Sequence, residues 1–175
     1  MIIATLNLEN LDDLQLTNAK WRYADGLVPG EPNGGLVDQL PESPARLADY
    51  DDSGWAVCEN IQKGISRGLC FGWYRITVTL PERVDDVEIN GSKVWFASCI
   101  DDYGEIWVDG TCDLAFGESG RGAVSGFNAP QRVVVSENAK PGAQHVIACL
   151  AVNGPFAKPG GGLFMRYARL EFEKE

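Results

Sequence analysis

Histidine is nearly absent: the chain carries one, His145, and none of its five cysteines forms a C-x-x-C pair. A zinc site built from thiolates and imidazoles needs convergent ligands of those types, so none is assigned and no metal is expected. The cysteines, Cys58, Cys70, Cys99, Cys112 and Cys149, are odd in number and sit in a chain long enough to hold a core without staples, which argues for reduced, mostly buried thiols. Basic residues are also scarce. Against 25 Asp plus Glu there are 15 Lys plus Arg, a formal charge of −10 that excludes the basic footprint of a nucleic-acid binder. No stretch approaches the roughly 18 uninterrupted apolar residues of a membrane span. The start, Met1 to Leu6, lacks the basic flank and long apolar run of a secretory signal. The expectation is a cytoplasmic protein with no membrane partner. Helical periodicity is missing as well, since no window of 11 or more residues beyond position 60 sustains it.

What is present is strand. At 175 residues, 45% hydrophobic and 23% charged, the composition suits one globular domain spanning 1–175. From Gly72 onward, β-branched and aromatic runs alternate with turn residues. In the run Trp73 to Leu80, Tyr74, Ile76, Val78 and Leu80 share one face, while Arg75, Thr77 and Thr79 share the other. Asn90-Gly91 and Asp109-Gly110 suit tight turns around strands at 92–100 and 105–108. Further strands are expected at 131–136, 145–152 and 163–173, the last with Leu163, Met165 and Tyr167 opposite Phe164, Arg166 and Ala168. The first 70 residues offer a strand at 2–8, one helical turn through Leu8, Leu11 and Leu14, and a Pro- and Gly-rich loop at 26–44. The layer solution is an all-β, two-sheet antiparallel sandwich or jelly roll.

Several phrases stand in a recognisable order: Tyr50-Asp51-Asp52-Ser53-Gly54-Trp55, then Gly72-Trp73-Tyr74-Arg75, Val94-Trp95-Phe96 and Ile100 to Gly110, then Gly126-Phe127-Asn128 and His145 to Asn153. Together they resemble the amino-terminal sugar-binding domain of family 2 glycoside hydrolases, over about positions 46 to 173. The resemblance implies a galactose-binding-like β-sandwich. It does not carry hydrolysis with it, because that family places its catalytic glutamates on a separate barrel domain. Asp109 stands where the family commonly has Asn, which keeps the turn and changes the charge at its tip.

Sugar recognition needs aromatic faces for a pyranose and planar polar groups for its hydroxyls. The loops offer Trp21, Tyr50, Trp55, Tyr103, Phe127 with Asn128, and Arg166, with Asn153 and Phe156 beside them. Five tryptophans in a sandwich of this size are more often core and hairpin anchors than platforms. Asp51 and Asp52 suit a turn that accepts backbone N–H groups, with Trp55 pinning the loop. Arg75 invites pairing with Asp102 or Glu105. The cluster Asp101 to Glu105 lacks the alternating ligands of a calcium loop and reads first as a solvated or salt-bridged hairpin. His145 and Cys149 lie four residues apart on one strand face, roughly 13 Å, too far for proton transfer. Lys158 to Gly162 lacks the G-K-S/T ending of a phosphate loop.

Three functions stand open. The first is a noncatalytic module binding a carbohydrate or another small ligand. The second is a small cofactor-independent enzyme using His145, Asp102, Glu105 or Arg75. The third is a pure assembly domain that pairs with a second copy through an exposed sheet or apolar loop face, docking on an enzyme partner belonging to the first.

Overall fold

Alternation of buried and exposed side chains carries about half of the described residues into strands. The structure, a computed structural model, describes residues 1–33, 42–113, 120–154 and 161–175. In chain order the elements are β1 (Ile2–Asn7), α1 (Leu11–Leu16), β2 (Arg22–Asp25), a 3-10 turn (Pro44–Arg46), β3 (Ala56–Val57), β4 (Ile65–Arg67), β5 (Cys70–Thr79), β6 (Arg83–Val84), β7 (Val87–Glu88), β8 (Lys93–Asp101), β9 (Tyr103–Val108), β10 (Gly120–Arg121), β11 (Ala123–Ser125), β12 (Gln131–Ser136), β13 (Gln144–Asn153) and β14 (Gly162–Glu173). One sheet, A, runs β1-β14-β8-β12-β10, with β4 paired to β14; the other, B, runs β11-β9-β13-β5-β2-β3. Every pairing is antiparallel, so the fold is an open all-β sandwich.

The main core lies between the sheets, where Tyr74, Ile76 and Val78 of β5 and Ile147 and Cys149 of β13 meet Phe96 and Ile100 of β8 and Leu163, Met165, Leu170 and Phe172 of β14. Trp21 belongs to this core at 2% exposure, and its indole N–H donates to the Leu8 carbonyl over 2.8 Å. It is therefore an anchor and no loop platform. Asp109 (φ 49°) and Gly110 (φ 83°) are both left-handed, the conformation a two-residue hairpin turn requires.

Two local expectations change. In β14 the register shifts between Met165 and Ala168, so Ala168, Leu170 and Phe172 turn inward and Tyr167 leaves the core face. An extra residue at that bulge resets the alternation. The single helical turn becomes α1, which starts after Leu8, is capped by the Asn10 side chain accepting from the Asp12 N–H, and packs Leu14 on the core while Leu11 stays exposed. Among the described residues no helix is long and apolar enough to cross a membrane.

Sheet B has a second, smaller apolar layer on its outer side, where Trp73, Ala148 and Leu150 pack with Ala45, Leu27, Trp55, Trp107 and Val152. The partners from 27 to 55 come from the long segment between β2 and β3.

Candidate functional site: an aromatic cleft on the outer face of sheet B

Three adjacent strands build the floor. Leu150 of β13 stands opposite Glu105 of β9 on one side and Trp73 of β5 on the other, and Ala148 stands in the same way between Trp107 and Arg75. Each row crosses two strand spacings, so Glu105 and Trp73 rise from backbones roughly 10 Å apart. Leu150 and the small Ala148 leave a trough between the taller walls.

Along β9, alternate residues Tyr103, Glu105 and Trp107 share a face, which puts two neutral donors beside one carboxylate. The Tyr103 hydroxyl donates to Glu105 Oε1 (2.8 Å) and the Trp107 indole N–H to Oε2 (3.0 Å). Burial, then the bond to Glu105, pushes the Tyr103 phenol well above its ordinary range, so it stays a donor. Glu105 is held in one orientation by uncharged groups, and no ion pair of the described residues includes it.

The roof comes from the β2–β3 segment, and Arg75 holds it there. The Arg75 side chain, 2% exposed, donates from Nε to Asp52 Oδ2 (2.9 Å), from Nη1 to the carbonyls of Ala45 (2.7 Å) and Leu47 (2.9 Å), and from Nη2 to that of Tyr50 (3.2 Å). Pairing with Asp102 or Glu105 is thereby corrected to pairing with Asp52, because the loop folds back over this face and brings its own carboxylate. Arg22 adds bonds to the Ser53 and Trp55 carbonyls, the Ser53 N–H caps Asp51, and Tyr50 packs on Trp55 with ring centres 5.6 Å apart. Tyr50 and Trp55 thus brace the roof. The Trp73 indole N–H fixes the loop's other arm at the Leu27 carbonyl (2.8 Å).

Between roof and floor lies a cleft of about 330 Å³ lined by Leu27, Glu42, Ser43, Arg46, Trp73, Glu105, Trp107 and Leu150. The Arg46 guanidinium lies 5.2 Å from the centre of the Trp107 ring and pairs with Glu42 at 2.7 Å. Apolar walls, a fixed acceptor and a stacked cation therefore share one concave surface.

The remaining candidates lie elsewhere. At the end of the sandwich Phe127 is exposed, and its carbonyl accepts from Arg166 Nε (2.9 Å); Arg166 Nη2 stands 3.9 Å from Asp101 Oδ1, a buried oxygen with no hydrogen-bond partner. Burial, and then the neighbouring Asp102 charge, raise the Asp101 carboxyl above its usual range. Asp102 Oδ2 accepts from the Gly154 N–H (3.0 Å), Asn128 sits in the loop after Phe127, and Asn153 donates to the Gly68 and Gly161 carbonyls. Phe156 and Lys158 lie outside the described residues. His145 pairs with Asp109 (2.7 Å) near the hairpin tip, where the other Asp109 oxygen accepts the Val146 N–H. Hence the four candidate catalytic residues occupy separate places: Arg75 under the roof, Glu105 on the cleft wall, Asp102 at the loop end and His145 at the hairpin tip. The Cys112 thiol is pushed up to about 11 by burial and then by the Glu105 charge, which makes it a poor nucleophile at neutral pH.

Of the residues the sequence singled out, Glu105 lines this cleft and Tyr103 holds its carboxylate from the neighbouring position on the same strand face, whereas Arg46, Trp73 and Trp107 were not among the candidates. The i, i+2 spacing of 103, 105 and 107 carried part of the signal; the fold-back of Arg46 carried none.

Neither a known family profile nor any curated protein matches this sequence. Solved structures do. Over 97% of its length the chain superposes on 18% of Bacteroides uniformis beta-glucuronidase 2, at TM-score 0.63 and 15% identity. A family 2 glycosyl hydrolase from Bacteroides cellulosilyticus gives 97% and 21% coverage, TM-score 0.59 and 14% identity. The beta-glucuronidase of Ruminococcus gnavus gives 98% and 30%, TM-score 0.61 and 13% identity. The fold is that of a family 2 sandwich domain. At these identities the likeness concerns the fold, and the chain spans under a third of each of these enzymes.

Proposed function

We propose that this chain is a noncatalytic recognition module that binds a carbohydrate in the cleft on sheet B and leaves hydrolysis to a partner enzyme. One observation carries the reading: Trp73, Trp107 and Leu150 form the apolar part of a cleft whose rim holds the anchored Glu105 carboxylate and Arg46. A pyranose has the matching surface, one C–H face for an indole and hydroxyls for planar polar groups. The domain-sized match to multi-domain glycosidases supports a module, and the scatter of Arg75, Asp102, Glu105 and His145 speaks against acid–base chemistry by those four.

The test is calorimetric titration of methyl glycosides into wild type and Trp107→Ala, with thermal melts of both. Trp107→Ala is expected to weaken binding at least tenfold while the protein still melts cooperatively. A second placement, favoured by the exposed Phe127 beside Arg166 and the Asp101 oxygen that lacks a hydrogen-bond donor, puts the sugar at the loop end. Binding lost in Phe127→Ala and Arg166→Met but kept in Trp107→Ala would move the site there.

A further inference from the structure

We infer that the sheet B cleft selects uncharged pyranoses and rejects sugars that carry a carboxylate. The inference rests on the module reading and adds the charge class of the ligand.

Inside the cleft the two indole donors are already committed. The Trp73 N–H is bound to the Leu27 carbonyl and the Trp107 N–H to Glu105, so the two indoles offer a ligand their carbon surfaces alone. Charge then decides what the rim accepts. Glu42 and Glu105 line the cleft against a single cation, Arg46, among the described residues. That cation is engaged twice, by Glu42 at 2.7 Å and by the Trp107 ring at 5.2 Å. Among the described residues Glu105 is hydrogen-bonded only by neutral donors, Tyr103 and Trp107, and forms no ion pair. The chain as a whole is acidic, with a net charge of −10.

A carboxylate on the ligand would meet Glu105 across a low-dielectric apolar surface, where like charges repel far more than in water. Pairing with Arg46 would put it in competition with Glu42 for the one guanidinium of the rim. A hydroxyl meets neither cost. Each Glu105 oxygen accepts one bond and retains acceptor capacity, so a pair of sugar hydroxyls can donate to it with no rearrangement. The uronic acid corresponding to a neutral hexose differs at one carbon, and that change is what the cleft should read.

Matched pairs test this: methyl β-glucoside with methyl β-glucuronide, and methyl β-galactoside with methyl β-galacturonide, titrated into wild type and Glu105→Gln at pH 7. The neutral member of the better-bound pair is expected to bind wild type at least tenfold more tightly than its uronide. In Glu105→Gln that ratio should fall below about threefold. Equal or tighter binding of the uronide by wild type, with loss in Trp107→Ala, would overturn the charge selection and leave the module reading standing. No binding of any of the four glycosides would overturn the module reading and the selection with it. Because the wild-type comparison needs no variant, misfolding of Glu105→Gln does not blunt the test.

Discussion

Replacing Arg75 by Met isolates the interaction on which the roof depends. The Met stem keeps apolar volume over Ala148 and removes four donors: one to the Asp52 carboxylate and three to the carbonyls of Ala45, Leu47 and Tyr50. Breaking a buried pair from one side costs about 3–5 kcal/mol, because the partner is left uncompensated. Two features pull the cost to the low end. Asp52, with 22% of its side chain exposed, keeps Arg22 Nε at 3.5 Å, and the freed carbonyls reach water once the loop lifts. A loss of about 3 kcal/mol is expected, which for a domain of this size lowers Tm by roughly 6–12 °C. Calorimetric melts measure this, and limited proteolysis should cut first within 42–57. A double-mutant cycle with Asp52→Asn should return a coupling of about 1–3 kcal/mol. Melting of Arg75→Met within about 2 °C of wild type, with the loop still protected, would refute the assignment of the loop's hold to this guanidinium.

Two further perturbations probe the core and the loop end. Gly72→Ala places a Cβ against the Tyr23 hydroxyl and 2.8 Å from Leu163 Cδ1, so overpacking should cost about 2 kcal/mol or more in denaturant unfolding. Asp101 is the pH probe. Its carboxyl is raised by burial and Asp102, so in the window just above the ordinary carboxylate range the folded state binds more protons than the unfolded one. Stability from this group is therefore present in mild acid and lost as pH rises through the raised value. Unfolding of wild type and Asp101→Asn followed from pH 3.5 to 7 should show that slope in wild type and its removal in the variant; identical profiles would count against the burial argument.

The two-sheet body was legible because strand periodicity is local. Tyr74, Ile76 and Val78 needed only a period of two to be placed on the core face, and Asp109-Gly110 only its tolerance of left-handed backbone. The same rule misplaced Tyr167, since a bulge adds a residue without leaving a mark in polarity. Trp21 shows the other failure: an indole looks alike in a core and on a platform until its N–H partner, the Leu8 carbonyl, is known.

By itself the amino-acid sequence determined the fold class, the inward faces of most strands, the scarcity of helix and the acidic balance, because each follows from neighbours in the chain or from simple counting. Tertiary structure alone decided the cleft. Arg46 reaches Trp107, and Asp52 reaches Arg75, across 61 and 23 residues of chain. Such meetings depend on how a long segment folds back over a finished sheet, and no periodicity encodes a contact between residues that far apart.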